Sequence, residues 1–221
     1  MTEWKISTPS TYLEVKEVWA IINTIPHVSK HIERDQLLLR TMWETGGRVS
    51  EVVQLQPRQI LDDEFALILL NLKQEPLKKK KNPKKKKDHY KKTYISSKLL
   101  QDLNLYCQKH QVTGNNWIFK ANRHAWQHLS RNYVWWIVHK AAVVAGIEKG
   151  SLTKGGKAYA WPHLFRHACA MHILDKTGKT EKAQRQLGHS SLITTQAYAT
   201  LKLRQSDREV SDIFEEEYDR T

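Results

Sequence analysis

Pro162-His163-Leu164-Phe165-Arg166-His167 reads as the opening turn of a helix. Proline is tolerated at a first helical position because its missing N–H has no intrahelical partner there. His163 and Arg166, at i and i+3, then project from one helix face, and arginine is the side chain suited to bidentate capture of phosphate oxygens. Downstream stand Leu187-Gly188-His189-Ser190-Ser191 and Thr194-Thr195-Gln196-Ala197-Tyr198. Upstream, Thr45-Gly46-Gly47-Arg48-Val49-Ser50-Glu51 places a second arginine at the first turn of another helix. Two arginines and two histidines gathered around one tyrosine make a metal-free phosphoryl-transfer site. Tyrosine can act as a covalent nucleophile, arginine can stabilise charge developing on phosphorus, and histidine can move the proton. Residue types alone do not bring the three stretches together in space.

The rest of the chain fits a partner that is a polyanion. Of 221 residues, 36 are Lys or Arg and 23 Asp or Glu, a formal charge of +13, with 40% hydrophobic residues, enough for a packed core. Such a surplus points to nucleic acid, but it is concentrated: Lys78 to Lys92 holds ten lysines against Asp88 alone, a local +9. A run of this kind is ordinarily a solvated loop and also resembles a nuclear localisation signal. Cys107 and Cys169 have no metal-ligand spacing, which fits a reducing cytoplasm. No apolar run approaches the roughly 18 residues of a membrane span, and Met1 to Lys5 carry no apolar leader core. Gly155-Gly156-Lys157 lacks the spacing of a phosphate-binding loop. No cofactor and no metal are expected, and the localisation expected is cytoplasmic.

Periodicity predicts a mainly α chain of the α+β class with one small antiparallel sheet. Leu13, Val18, Ile21, Ile22 and Ile25 mark a first helix that Pro26 closes, and Leu37, Leu38, Met42 and Trp43 mark a second from about Glu33 to Thr45. Arg48 to Gln54 reads as a short third helix. Phe65 to Leu72 and Thr93-Tyr94-Ile95 read as paired strands joined by the lysine-rich segment. Helices resume at Ser97 to His110, Ala125 to Ala145, Pro162 to Lys176, Glu181 to Leu187 and Leu192 to Ala199, with Lys149 to Ala158 a loop. Trp43, Trp135 and Trp136 fall on apolar faces and read as core.

Thr-Gly-x-Arg-x-Ser-Glu, His-x-x-Arg-His and Leu-Gly-His followed by Tyr resemble the signature of the tyrosine recombinases of the phage integrase family. Arg166 to His189 spans 23 residues and His189 to Tyr198 nine, and the likeness runs from about Ser10 to Thr200. It implies a DNA recombinase with the family's catalytic-domain fold, acting on double-stranded DNA without metal or ATP. Tyr198 would attack the scissile phosphate to give a 3′-phosphotyrosyl link and a 5′-hydroxyl. Arg48 and Arg166 would clamp the non-bridging oxygens, His163 would act as general base and His189 would hydrogen-bond the phosphate. Glu51 and His167 would support them. The family's general acid is a lysine between two strands; Lys73, 25 residues after Arg48, holds that place, with Lys91 or Lys92 as alternatives. Lys79, Lys80, Lys84, Lys85, Lys86, Lys91, Lys154 and Lys157 are the expected DNA-backbone contacts.

Only 47 residues precede Arg48, fewer than the clamping domain of larger relatives needs, so the resemblance is to a catalytic-domain-only form. Residues 1–202 read as that domain, with the lysine-rich loop at 76–92, and 203–221 as a helical tail that either packs on its own domain or, as the resemblance implies, is exchanged between protomers. The tail carries an apolar stripe of Val210, Ile213, Phe214 and Tyr218 among acidic residues, and dimers or tetramers on DNA are expected. Two rival readings remain: a type IB topoisomerase-like enzyme or hairpin-forming resolvase with the same residue set, and a non-catalytic DNA-binding protein on the same scaffold.

Overall fold

A computed structural model describes residues 12–70, 90–121, 126–149, 151–152 and 158–188. Helix α1 (Val15–Val28) starts at a capping box in which Glu14 and Glu17 serve each other's backbone N–H groups, and it buries Val18, Ile21, Ile22, Ile25 and Val28 along one stripe. Pro26 does not close it; the helix runs two residues further. Proline removes the donor that would reach the Ile22 carbonyl, and Gln36 Nε2 from the next helix donates to that carbonyl instead at 3.2 Å. Helix α2 (Ile32–Thr45) stops where Gly46 turns left-handed at φ 54°. A single helical turn, α3 (Val49–Val52), follows.

The sheet has three antiparallel strands in the order β1 (Ile60–Leu61), β2 (Ala66–Leu70), β3 (Tyr90–Tyr94). The short first strand is one more than the sequence predicts; two residues carry too little alternation to register as a strand. Leu69 pairs with Lys91 and Ala66 with Tyr94. Alternation along β3 therefore turns Lys91 and Thr93 inward and leaves Tyr90 and Tyr94 exposed.

Ser96 Oγ caps α4 (Ser97–Lys109) by accepting from the Leu99 amide at 3.1 Å. Ser130 caps α5 (Arg131–Val144) through the Tyr133 amide. That cap explains why α5 begins six residues later than the expected Ala125. A two-stranded ribbon, β4 (Ser151–Leu152) with β5 (Ala158–Tyr159), flanks the expected loop. Helices α6 (His163–Thr177) and α7 (Thr180–Leu187) each end on a left-handed glycine, Gly178 and Gly188.

The main core joins α1 to α5 with the inner face of the sheet, and a smaller cluster of Cys169, Ala170, Met171, Leu174, Ala183 and Leu187 locks α6 to α7. Trp43 packs edge-on against Trp19 at 5.4 Å. Trp135 and Trp136 are 47% and 42% exposed, so the core assignment fails for both. The buried stripe of α5 is Val134, Ile137, Val138, Ala141 and Ala142, and the two tryptophans lie on its flank. Among the described residues no helix is long and apolar enough to cross a membrane.

Candidate functional site

Gly46 lets the first arginine segment approach α6 and α7, and Gly47 lets it pack closely on α3 and β2. A Cβ on Gly46 would stand 2.3 Å from Leu187 Cδ2 and 3.1 Å from Cys169 Sγ, and one on Gly47 would stand 2.5 Å from Val52 Cγ2. Arg48 follows as the residue that caps α3. Its amide donates to Glu51 Oε2 at 2.9 Å and its guanidinium to Oε1 at 2.7 Å. Glu51 is 1% exposed. Burial works to raise its carboxyl pKa, but the Lys91 ammonium and the Arg48 hydrogen bonds outweigh that, and the net shift is downward.

Arg166, in the first turn of α6, is buried and donates to two backbone carbonyls, Gly46 and Leu187. These are carbonyls near the ends of α2 and α7, where the helix supplies no donor of its own. Lys91 Nζ shares the Leu187 carbonyl at 3.2 Å and lies 3.3 Å from Glu51 Oε2. A chain of polar contacts thus runs Arg48, Glu51, Lys91, Leu187 carbonyl, Arg166, drawing on α3, β3, α7 and α6. Burial pushes the Lys91 pKa down to about 8; Glu51 opposes the shift, while Arg166 and Arg48 add to it.

His163 is exposed at the start of α6 and shares with Arg48 a pocket of about 420 Å³ walled by Trp161, Trp135 and Arg131. The expected common face is therefore split, with His163 turned to the pocket and Arg166 inward. The His163 and His167 rings meet edge-on at 6.0 Å. Burial, followed by the charges of His163 and Arg166, pushes His167 down to about 4, so it is a neutral imidazole at neutral pH.

Of the expected site residues, Arg48, Glu51, His163, Arg166, His167 and Lys91 are therefore placed. His189, Tyr198, Lys73, Lys79, Lys80, Lys84, Lys85, Lys86, Lys154 and Lys157 lie outside the described residues, as do the tail and the expected helix at Leu192 to Ala199. Lys91, expected above as a DNA-backbone contact and as an alternative to Lys73, is 8% exposed and belongs to the polar chain between the arginines. The signal for this was present in β3, where Lys91 falls on the same side as Thr93. Lys92, its neighbour, pairs with Glu64 on the outer side. A larger groove of about 710 Å³ holds none of the Arg–His set; its lining includes Trp19, Trp43, Ile173, Lys98, Lys182 and Arg185.

This mainly helical arrangement has the fold of a tyrosine recombinase catalytic domain. Residues 11–204 match the sequence profile of the Phage integrase family, and the chain belongs to that family. Tyrosine recombinase XerD of Staphylococcus saprophyticus is 34% identical over 190 residues, covering 84% of this chain and 56% of the relative. Tyrosine recombinase XerA of Thermococcus onnurineus is 29% identical over 183 residues, 83% of this chain and 55% of the relative. The chain thus spans about half the length of these curated relatives. Among solved structures, the XerH site-specific recombinase bound to palindromic difH substrate, a post-cleavage complex, shares the fold with a TM-score of 0.70 at 20% identity, over 94% of this chain and 54% of that one. The catalytic domain of bacteriophage HP1 integrase does so at 0.57 and 20% identity, over 86% and 88%.

Proposed function

We propose that this chain cleaves and rejoins DNA strands as a site-specific recombinase, acting on double-stranded DNA through a 3′-phosphotyrosyl intermediate at Tyr198. The observation that carries the reading is the polar chain that joins Arg48 to Arg166 through Glu51, Lys91 and the Leu187 carbonyl. In the reaction, the Tyr198 oxygen bonds to phosphorus and the 5′-oxygen leaves. His163 accepts the tyrosine proton, Lys73 supplies one to the leaving oxygen, and Arg48, Arg166 and His189 hold the non-bridging oxygens. One phosphodiester is exchanged for another, so attack by a 5′-hydroxyl reverses the step without ATP or metal. Lys79, Lys80, Lys84, Lys85, Lys86, Lys154 and Lys157 belong to the proposal as DNA-backbone contacts, and the cytoplasm as the place of action.

The test is a pool of nicked duplexes offered to the chain and to Tyr198→Phe. DNA that stays bound through SDS with the parent alone supports the reading, and sequencing it reveals the preferred site. Native binding without any adduct overturns it in favour of a DNA-binding scaffold. Relaxation of one duplex without exchange between two would indicate topoisomerase-type chemistry.

Assembly on DNA follows from the same proposal, with 203–221 of one copy seated in the groove of a second. That segment holds seven acidic residues against three arginines, with Val210, Ile213, Phe214 and Tyr218 between them. The groove offers apolar Trp19, Trp43 and Ile173 beside Lys98, Lys182 and Arg185. Sedimentation on DNA is expected to show smaller assemblies for a chain ending at Lys202; equal assemblies would refute the docking.

A further inference from the structure

Lys91 is an unusual choice for its position. It faces inward from β3, an edge strand of the three-stranded sheet, opposite Leu69 on the central strand, and is 8% exposed. Lysine is almost never buried unless paired, and an aliphatic residue would serve the strand register as well. The charge must therefore be accounted for by what it touches. On one side is Glu51 Oε2 at 3.3 Å, on the other the Leu187 carbonyl at 3.2 Å. Its methylenes press on the next residue, where a Cβ on Gly188 would stand 2.7 Å from Lys91 Cδ. Gly188 turns left-handed at φ 65° and ends α7, and the chain continues directly into His189. Lys91 thus bears on both residues from which the backbone leaves α7. The charged and titratable groups acting on it are Glu51 from α3, Arg48 just before α3, and Arg166 from α6; Cys169 of α6 in turn feels its charge.

We propose that Lys91 is a positioning residue: bridging the Glu51 carboxylate and the Leu187 carbonyl, it fixes how the chain turns out of α7 at Gly188, immediately ahead of His189. The proposal rests on the recombinase reading for its consequence, because His189 and Tyr198 follow that turn in sequence. It does not rest on that reading for its geometry. Lys91 acts through Leu187 and Gly188 and gives no proton to the reaction. It also couples the sheet to the two arginines, since loss of its ammonium would leave Glu51 held by Arg48 alone in this chain of contacts.

The experiment compares the full chain with Lys91→Met and Lys91→Arg, and has two independent readouts. The first is exchange of the Gly188 amide, which donates to the Arg185 carbonyl at 3.2 Å, followed without DNA by NMR. Lys91→Met is expected to speed this exchange by about tenfold while amides of α1 and α5 keep their protection, and Lys91→Arg to restore it to within about threefold. Unchanged Gly188 exchange in Lys91→Met overturns the proposal. The second is the rate of covalent adduct formation on a nicked duplex, expected to fall roughly 30- to 100-fold in Lys91→Met with DNA affinity retained, and to recover largely in Lys91→Arg. A duplex with sulfur at the bridging 5′ position separates positioning from proton donation, because a thiolate leaves without a proton. The Lys91→Met deficit is expected to persist on sulfur; rescue by sulfur would make Lys91 the general acid and overturn the proposal. If the parent forms no adduct, the recombinase reading fails and the exchange readout alone decides the role of Lys91. If Lys91→Met loses protection throughout α1 and α5, Lys91→Gln, which keeps a donor, carries the same two readouts.

Discussion

Glu51→Gln tests the central contact of the site. The carboxylate is 1% exposed and serves three donors: the Arg48 amide at 2.9 Å, the Arg48 guanidinium at 2.7 Å and Lys91 Nζ at 3.3 Å. Glutamine keeps the shape and one acceptor oxygen but strands the Lys91 ammonium beside two guanidinium groups. Removing one partner of a buried ion pair costs about 3–5 kcal/mol; because the Arg48 contacts survive in part, the lower end, about 3 kcal/mol, is expected. For a chain of this size that lowers Tm by roughly 6–12 °C. The sign of its pH dependence follows from Lys91. Its folded pKa of about 8 lies under the ordinary 10.5, so between these values the unfolded chain binds more protons and stability rises with pH through this group. As Lys91 loses its proton in that window there is less charge to strand, and the Glu51→Gln deficit shrinks between pH 7 and pH 9.5. Adding Lys91→Met removes the stranded charge altogether, so the double variant is expected to fall short of the additive loss by about 1–2 kcal/mol. Urea melts of the four chains of this cycle at both pH values supply the measurement. A Glu51→Gln loss under about 1 kcal/mol, or strict additivity with Lys91→Met, would refute the reasoning.

Three further outcomes are expected. Gly46→Ala combines a left-handed φ of 54° with a Cβ only 2.3 Å from Leu187 Cδ2, and is expected to cost about 2–4 kcal/mol in a urea melt; a loss within about 0.5 kcal/mol would show that α7 yields freely. His167, held down to about 4 from the ordinary 6.5, binds a proton in the unfolded chain before it does in the folded one. Its contribution is therefore complete above pH 6.5 and lost on acidification toward pH 4, at most about 3 kcal/mol, and His167→Asn is expected to flatten the stability profile across that window. Replacing the lysines between Lys78 and Lys87 with serine is expected to make the log–log salt dependence of DNA binding shallower, by roughly 5 if six phosphates are involved; an unchanged slope would take DNA contact away from that segment.

The readable parts of the sequence are those where one local rule decides. Gly46 ends α2 because only a left-handed turn lets the chain reach Arg48, and Ser96 starts α4 because its hydroxyl meets the Leu99 amide. The errors share a different cause: the deciding partner is distant in sequence. Pro26 is tolerated because Gln36 serves the orphaned Ile22 carbonyl. Trp135 and Trp136 sit at the edge of an apolar stripe whose width is set by α1 packing on α5, not by α5 alone. Lys91 falls by local pattern at the end of the lysine-rich loop 76–92, whereas it lies in β3 and its burial depends on Glu51 and on the end of α7, neither of which the local pattern mentions.

That dependence also bears on how the motifs function. Read as a string, Arg48, His163 and Arg166 look like three reagents waiting for a phosphate. In the folded chain Arg166 spends donors on the Gly46 and Leu187 carbonyls, and Arg48 spends its own on Glu51. These bonds have a mechanical consequence. Gly46 and Leu187 lie at the ends of α2 and α7, so one guanidinium ties the turn before Arg48 to the turn before His189. Any shift of α7 relative to α2 must stretch Arg166, and any shift of β3 must move the Lys91 ammonium between Glu51 and Leu187. A guanidinium reaches two separate carbonyls because its five donors are spread over a fixed plane; an ammonium carries its three donors on one atom and serves two acceptors only where both converge on that atom, as Glu51 and Leu187 do on Lys91. The arginine at 166 is therefore required by the architecture before any phosphate arrives, and the fold and the chemistry of this domain constrain the same side chain.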